Sequence, residues 1–120
     1  MANILIVESY RTLGSLYREV LEEEGHAVFV TVSGKKAIEL VSRQHIDLAI
    51  VEQGLPDLSA EDLLDRLKRL QPNMQGTVCT VTDFDAQFQT DLCDENVLKT
   101  PDFTLLQEKV RKVLQGSSSE

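Results

Sequence analysis

The stretch Ile46-Asp-Leu-Ala-Ile-Val-Glu52-Gln-Gly-Leu-Pro56-Asp-Leu-Ser59 decides how the rest of the chain is read. Ile46, Leu48, Ala49, Ile50 and Val51 make a nearly unbroken apolar run, interrupted only by Asp47. A parallel strand buried on both faces needs that pattern, whereas a strand with one wet face alternates. The run stops at an acid, Glu52, and the chain then turns through Gly54 and Pro56. Ser59 starts a helix, with Asp62 three residues on as an approximate capping box. The order is strand, carboxylate, loop, helix. In open α/β sheets chemistry sits in the crevice beyond the carboxyl ends of the strands, so Glu52 stands where an active residue would.

Upstream, Asn3-Ile-Leu-Ile-Val7 predicts a first strand ending on a second acid, Glu8, with Ser9 placed to cap the next helix. Leu13, Leu16, Tyr17, Val20 and Leu21 recur at helical spacing as a core-facing stripe, and Gly25 closes that helix. Ala27–Thr31 is the second strand, and Ser33-Gly34 opens a helix with Ala37, Ile38, Leu40 and Val41 as its apolar positions. Downstream, Leu63, Leu64, Leu67 and Leu70 give the third helix a buried face that Pro72-Asn73 ends. Thr77–Thr82 is the fourth strand. Phe84, Phe88 and Leu92, spaced by four, predict a short or distorted fourth helix, the two aromatics being read as core packing rather than as an exposed recognition patch. Val97-Leu98 is a minimal fifth strand ending at Lys99, and Thr104 with Gln107 opens a last helix whose Leu106, Val110, Val113 and Leu114 face the core. Five strands alternating with five helices give an α/β fold, a doubly wound parallel sheet, in one domain over residues 1–115. Residues 116–120 read as a polar tail or linker.

A net charge of -8 and a hydrophobic content of 42% describe an acidic globular chain with no basic patch for nucleic acid or an anionic membrane. The run Glu22-Glu23-Glu24 is the solvated end of a helix. Cys79 and Cys93 have neither a CxxC partner nor a metal-ligand set, so Cys79 is read as a buried strand residue and Cys93 as an ordinary helix or loop residue. With no leader-like or long apolar stretch, a reducing cytoplasm is the expected location.

Ile4–Val7 with Glu8 behind it, Leu21-Glu-Glu-Glu-Gly25, Asp47-Leu48 through Leu55-Pro56, Leu63-Leu64, Lys99 and the last amphipathic helix succeed one another in a specific order and spacing. In that order and spacing the chain resembles the receiver domains of bacterial response regulators, the CheY-like domains, over about Asn3 to Leu114. The resemblance implies the flavodoxin and CheY strand order 2-1-3-4-5, which is taken from the fold class and not read from the residues. The chemistry it implies is phosphoryl transfer from a histidine kinase to an aspartate after the third strand. Mg²⁺ is held there by that aspartate, an acidic pair after the first strand and a backbone carbonyl. A Ser or Thr ending the fourth strand and a Lys ending the fifth contact the phosphoryl group. Metal and ammonium are needed because nucleophile and phosphate are both anionic.

Carried over residue by residue, the implied site is altered. Its phosphoacceptor position holds Glu52, a methylene longer than aspartate, and ångström-scale misplacement spoils in-line attack. The acidic pair becomes Glu8 and Ser9, so the family's direct metal ligand is missing and Mg²⁺ should bind poorly. Thr82 or Thr80 takes the switch position, with Val81 falling there in one gap-free alignment, and the usual small residue after it is Asp83. Lys99 matches the family lysine, but its neighbouring proline has moved to Pro101 with Thr100 between. Ala60 replaces a loop glycine, and the chain between the fourth strand and Lys99 is several residues shorter than usual.

These departures predict a degenerate receiver, or pseudo-receiver: a module of two-component (phosphorelay) signalling that is no enzyme and acts by protein–protein interaction without normal Asp phosphorylation. Glu52 is read as the ion-pair partner of Lys99 in preference to a fixed mimic of the phosphorylated state. Arg11, which could reach Glu52 or Glu8, is read as a surface residue, and His26 and His45 as solvated loop residues. No catalytic residue and no cofactor is expected, and Mg²⁺ would have only Glu8 and Glu52 as weak ligands. The expected partners are a histidine kinase or a downstream signalling protein, with the chain a monomer or homodimer. Two alternatives stand beside this reading. One is a conventional, slowly phosphorylated response regulator. The other is a flavodoxin-like binder of a small ligand, holding a phosphate at the helix start in the loop Ser9–Gly14, although that loop has one glycine and the chain no tryptophan to stack a flavin.

Overall fold

Apolar runs too short to bury themselves alone are paired side by side. In the computed structural model, which describes residues 1–82 and 93–116, five parallel strands form one sheet. They are β1 (Asn3–Val7), β2 (Ala27–Thr31), β3 (Leu48–Glu52), β4 (Gly76–Val81) and β5 (Glu95–Leu98), in the order β2-β1-β3-β4-β5. Among the described residues four helices flank it: α1 (Arg11–Glu23), α2 (Gly34–Val41), α3 (Ala60–Leu70) and α4 (Thr104–Leu114). The helix expected from Phe84, Phe88 and Leu92 lies outside the described residues, as do Asp83 and residues 117–120.

The period-two alternation of a strand sorts the core into two layers. Leu5, Val7, Ala49, Val51, Cys79 and Val81 pack with Leu63, Leu64 and Leu67 of α3 and Ala37 and Val41 of α2. Ile4, Ile6, Leu48, Ile50 and Val78 pack on the opposite face with Tyr17 and Leu21 of α1 and Leu106 and Val110 of α4. β3, the central strand, is buried at every position, as its unbroken apolar run requires. Glu52, two residues after Ile50, continues the second of these faces.

Local chemistry sets the helix ends. The side chains of Ser33 and Ser59 cap α2 and α3, accepting from Lys36 N at 3.2 Å and Asp62 N at 3.0 Å. Gly25, at a positive φ of 95°, ends α1 in a Schellman arrangement with Gly25 N bonded to Glu22 O and His26 N to Leu21 O. Asp57 ties the loop after β3 to the start of α2, accepting from Gly34 N at 2.9 Å and Lys35 N at 3.0 Å.

Several expectations are corrected. Ser9 does not cap α1, whose N-cap is Tyr10 with no side-chain bond, because the Ser9 hydroxyl is used elsewhere. Leu16 and Leu70 lie outside the buried stripes, at 42% and 46% exposure, because the core-facing arc is narrower than the apolar arc. Gly14 instead faces the sheet, where a Cβ would come within 3.0 Å of Val30. β3 starts at Leu48, not Ile46, because the Asp47 carboxylate takes the Asn3 amide at 2.8 Å and the His45 ring at 2.8 Å. His45 is therefore paired, and His26 accepts from Ala2 N at 3.1 Å, so neither histidine is merely solvated.

Cys79 is buried in β4 as expected, but Cys93 is no ordinary loop residue. The two form a disulfide, with Cα atoms 6.3 Å apart. The β4–β5 register, which sets Cys79 beside Asn96, brings Cys93 at the approach to β5 within reach. Two independent thiols are replaced by one bridge.

Candidate functional site

Glu8 and Glu52 leave adjacent strands at the carboxyl end of the sheet, one residue past the Val7–Val51 pair. Glu52 itself lies beside Thr80 in the β3–β4 register. Lys99, directly after β5, is held there by its own amide on Val81 O at 2.8 Å. Its ammonium lies 2.7 Å from Glu52 Oε1 and 3.2 Å from Glu8 Oε1. The expected Glu52–Lys99 pair is thus present, and Lys99 is shared with a second carboxylate that sequence reasoning left unpaired. Ser9 completes the cluster, donating its amide at 3.0 Å and its hydroxyl to Glu52 Oε2. Glu8 Oε2 accepts the Tyr10 amide at 3.2 Å.

One ammonium therefore serves two carboxylates that are 1% and 4% exposed. Ionising both would leave one uncompensated negative charge in a poorly hydrated space, which is costly. The cluster resolves this by separating the two acids. Burial, a carboxyl–carboxylate hydrogen bond to Glu52 and the Glu52 charge push Glu8 up to about 7, with Lys99 opposing. Burial pushes Glu52 the same way, but hydrogen bonds from Lys99, Ser9 and Glu8 outweigh it and hold its carboxyl below the ordinary range. Lys99, although burial works against its charge, is held above its ordinary range by the two acids. Of the two acids Glu8 is the one that takes up a proton, at about 7, while Glu52 keeps its charge. The fields of Glu8 and Glu52 reach Tyr17 in α1, whose hydroxyl burial and both acids push up.

A cleft of about 240 Å³ opens beside this cluster, lined by Glu52, Gln53, Gly54, Thr80, Thr82 and Lys99. Both threonines reach it, in different settings. Thr80 is buried and its hydroxyl has no hydrogen-bond partner among the described residues, whereas Thr82 is one residue past β4 and exposed. Arg11 is exposed and pairs with neither acid. Among the described residues no helix is long and apolar enough to cross a membrane.

The chain matches the response regulator receiver domain family over residues 4–111. It belongs to that family. Among curated relatives, this receiver domain is 27% identical over 77 residues to sporulation initiation phosphotransferase F of Bacillus subtilis, covering 64% of this chain and 62% of the relative. It is 32% identical over 69 residues to response regulator SaeR of Staphylococcus aureus, covering 58% of this chain and 30% of SaeR. The matched region spans less than two thirds of either relative's length. Among solved structures, it superimposes on response regulator TrrA of Thermotoga maritima, in complex with Mg²⁺-BeF, with a TM-score of 0.83 at 23% identity, covering 94% of this chain and 99% of TrrA. A receiver domain from Clostridium thermocellum gives a TM-score of 0.84 at 20% identity, covering 96% and 95%. These likenesses establish the fold, a CheY-like receiver of two-component response regulators.

The residues of this receiver domain do not fit the family's Mg²⁺. A hard divalent cation needs several oxygen ligands, carboxylates foremost. Here the Lys99 ammonium already bridges the two acids, and the Ser9 hydroxyl is spent as a donor to Glu52. Among the described residues no group of three or more His, Cys, Asp or Glu is assembled that could hold a metal. Both Glu52 oxygens accept hydrogen bonds, Oε1 from Lys99 and Oε2 from Ser9.

Proposed function

We propose that this chain is a degenerate receiver that acts in two-component signalling by protein–protein contact, without normal phosphorylation and without enzymatic activity of its own. One observation carries the proposal: Ser9, standing where the family has a metal-binding acid, donates its amide and hydroxyl to the carboxylate of Glu52, itself longer than the family's aspartate. Glu52 and Lys99 act as a structural ion pair, Glu8 and Ser9 stand in for the acidic pocket, and Thr80 or Thr82 holds the switch position. The cluster is charge-balanced by Lys99 without a cofactor. Family membership weighs against a small-ligand binder at Ser9–Gly14.

A protein partner is supported by the surface next to Lys99. A groove of about 520 Å³ lined by Leu13, Leu16, Lys99, Thr100, Pro101 and Phe103 opens there. Exposed apolar side chains gathered around one groove favour a protein ligand, a histidine kinase or a downstream signalling protein. The domain works in the cytoplasm as a monomer or homodimer.

The second reading, a conventional but slowly phosphorylated regulator, is favoured by the unpartnered Thr80 hydroxyl beside Glu52. Incubation with acetyl phosphate and Mg²⁺ followed by intact-mass spectrometry separates the two. The degenerate receiver keeps its mass. Gain of one phosphoryl group on Glu52 would establish the second reading instead.

A further inference from the structure

We propose that the Cys79–Cys93 disulfide is a reversible thiol-exchange site whose redox state governs how firmly Lys99 is held against the acidic pocket. This goes beyond the signalling reading and is independent of whether Glu52 accepts a phosphoryl group. It also reconciles a bridge with a cytoplasmic protein, in which disulfides are transient or sensing rather than structural.

The two sulfurs differ in access. Cys79 is fully buried in β4, while Cys93 is half-buried just ahead of β5. An external thiol therefore enters at Cys93. Its thiolate attacks Cys93 Sγ and the Cys79–Cys93 bond breaks. The Cys79 thiolate leaves and takes up a proton. A second external thiolate then attacks the outer sulfur of the mixed disulfide, giving the Cys93 thiol and an external disulfide. Two external thiols are oxidised and one protein disulfide is reduced. Re-oxidation runs the same steps backward with a glutathione-type disulfide. The reduced form is also provided for, because Glu95 O lies 3.1 Å and Asn96 Oδ1 3.7 Å from Cys93 Sγ, acceptors for the thiol hydrogen.

The bridge matters because it anchors the strand that leads into Lys99. β5 is an edge strand of four residues with only Val97 buried, and Lys99 comes directly after it. Besides the ladder to β4, with the Lys99 amide on Val81 O at 2.8 Å, its anchors are Asp94 on Thr77 N at 2.8 Å, and Glu95 with Lys109 at 2.9 Å and Lys112 at 3.0 Å. The disulfide adds a side-chain cross-link from this strand's approach to β4. Opening it loosens the strand that places Lys99 between Glu8 and Glu52.

The test uses the full chain, equilibrated in glutathione buffers of graded poise. Thiols are counted by alkylation and mass spectrometry, and amide exchange is followed by NMR. The expected result is a bridge that opens and re-forms with poise while the protein stays folded. In the reduced form the Leu98 and Lys99 amides should exchange about tenfold faster and the Glu52 signal should move, with β1 and β2 unaffected. Cys93→Ser, at the half-buried position, should show the reduced pattern at every poise. Two alkylatable thiols at all poises, or identical Lys99 and Glu52 behaviour in both forms, would overturn the proposal.

Discussion

The two ends of this sheet use carboxylates in opposite ways. At the amino end Asp47 and Asp94 accept backbone amides, from Asn3 and Thr77, at 2.8 Å each. Asp47 is held below its ordinary pKa, with burial outweighed by the Asn3 and His45 hydrogen bonds. These acids stitch strand starts together, and Asp47 keeps its charge. At the carboxyl end Glu8 and Glu52 are neutralised by a single side-chain cation and one of them takes a proton. The difference teaches that backbone amides, fixed by the fold, neutralise an acid permanently, whereas an ammonium on an edge strand neutralises it conditionally. A site that can respond belongs at the second kind of end.

Breaking the carboxyl end should have the largest effect. Lys99→Met leaves two buried acids without their cation and should cost about 3–5 kcal/mol in urea denaturation at pH 8, with a smaller loss at low pH, where protons substitute for the ammonium. The next effect is a pH dependence confined to this end. Glu8 sits at about 7 when folded against 4.5 ordinarily, so the folded chain binds more protons than the unfolded chain between those values. Stability therefore falls as pH rises through that window, by on the order of 3 kcal/mol, and levels off above it. Glu52 contributes the opposite slope, its stabilisation being lost as pH falls below 4.5. Glu8→Gln should flatten the decline at higher pH, and denaturation midpoints measured across the window decide this. At the amino end Asp47→Ala should cost about 1–2 kcal/mol with no slope over the same window, because its depressed pKa places its titration far lower. A steep pH dependence in Asp47→Ala relative to wild type would erase the contrast between the ends.

Much of this was legible in the chain. The unbroken run of β3 announces a strand buried on both faces, and Ser33 and Ser59 mark helix starts by the chemistry of capping. The Glu52–Lys99 pair also follows from two opposite charges placed at strand ends of one sheet. The features that were not legible depend on register and on competition. That Thr80 lies beside Glu52 follows from the β3–β4 register and from no local pattern. Ser9 reads equally well as a helix cap or a donor to an acid, and the buried carboxylate is the stronger acceptor. Cys79 and Cys93 meet because of strand pairing across β4 and β5, which no local pattern in the sequence encodes. Leu16 and Leu70 satisfy helical periodicity yet face outward, since periodicity gives an arc and only packing gives its width.

The central claim is that the site around Glu52, closed by Lys99 and Ser9, takes up neither metal nor phosphoryl group. An NMR amide titration with millimolar Mg²⁺, followed by beryllofluoride as a stand-in for the phosphoryl group, tests it most directly. The account predicts no saturable shift at Glu52, Thr82 or Lys99. Saturable shifts at those residues that spread into α4 would contradict it and establish a working phosphoryl switch.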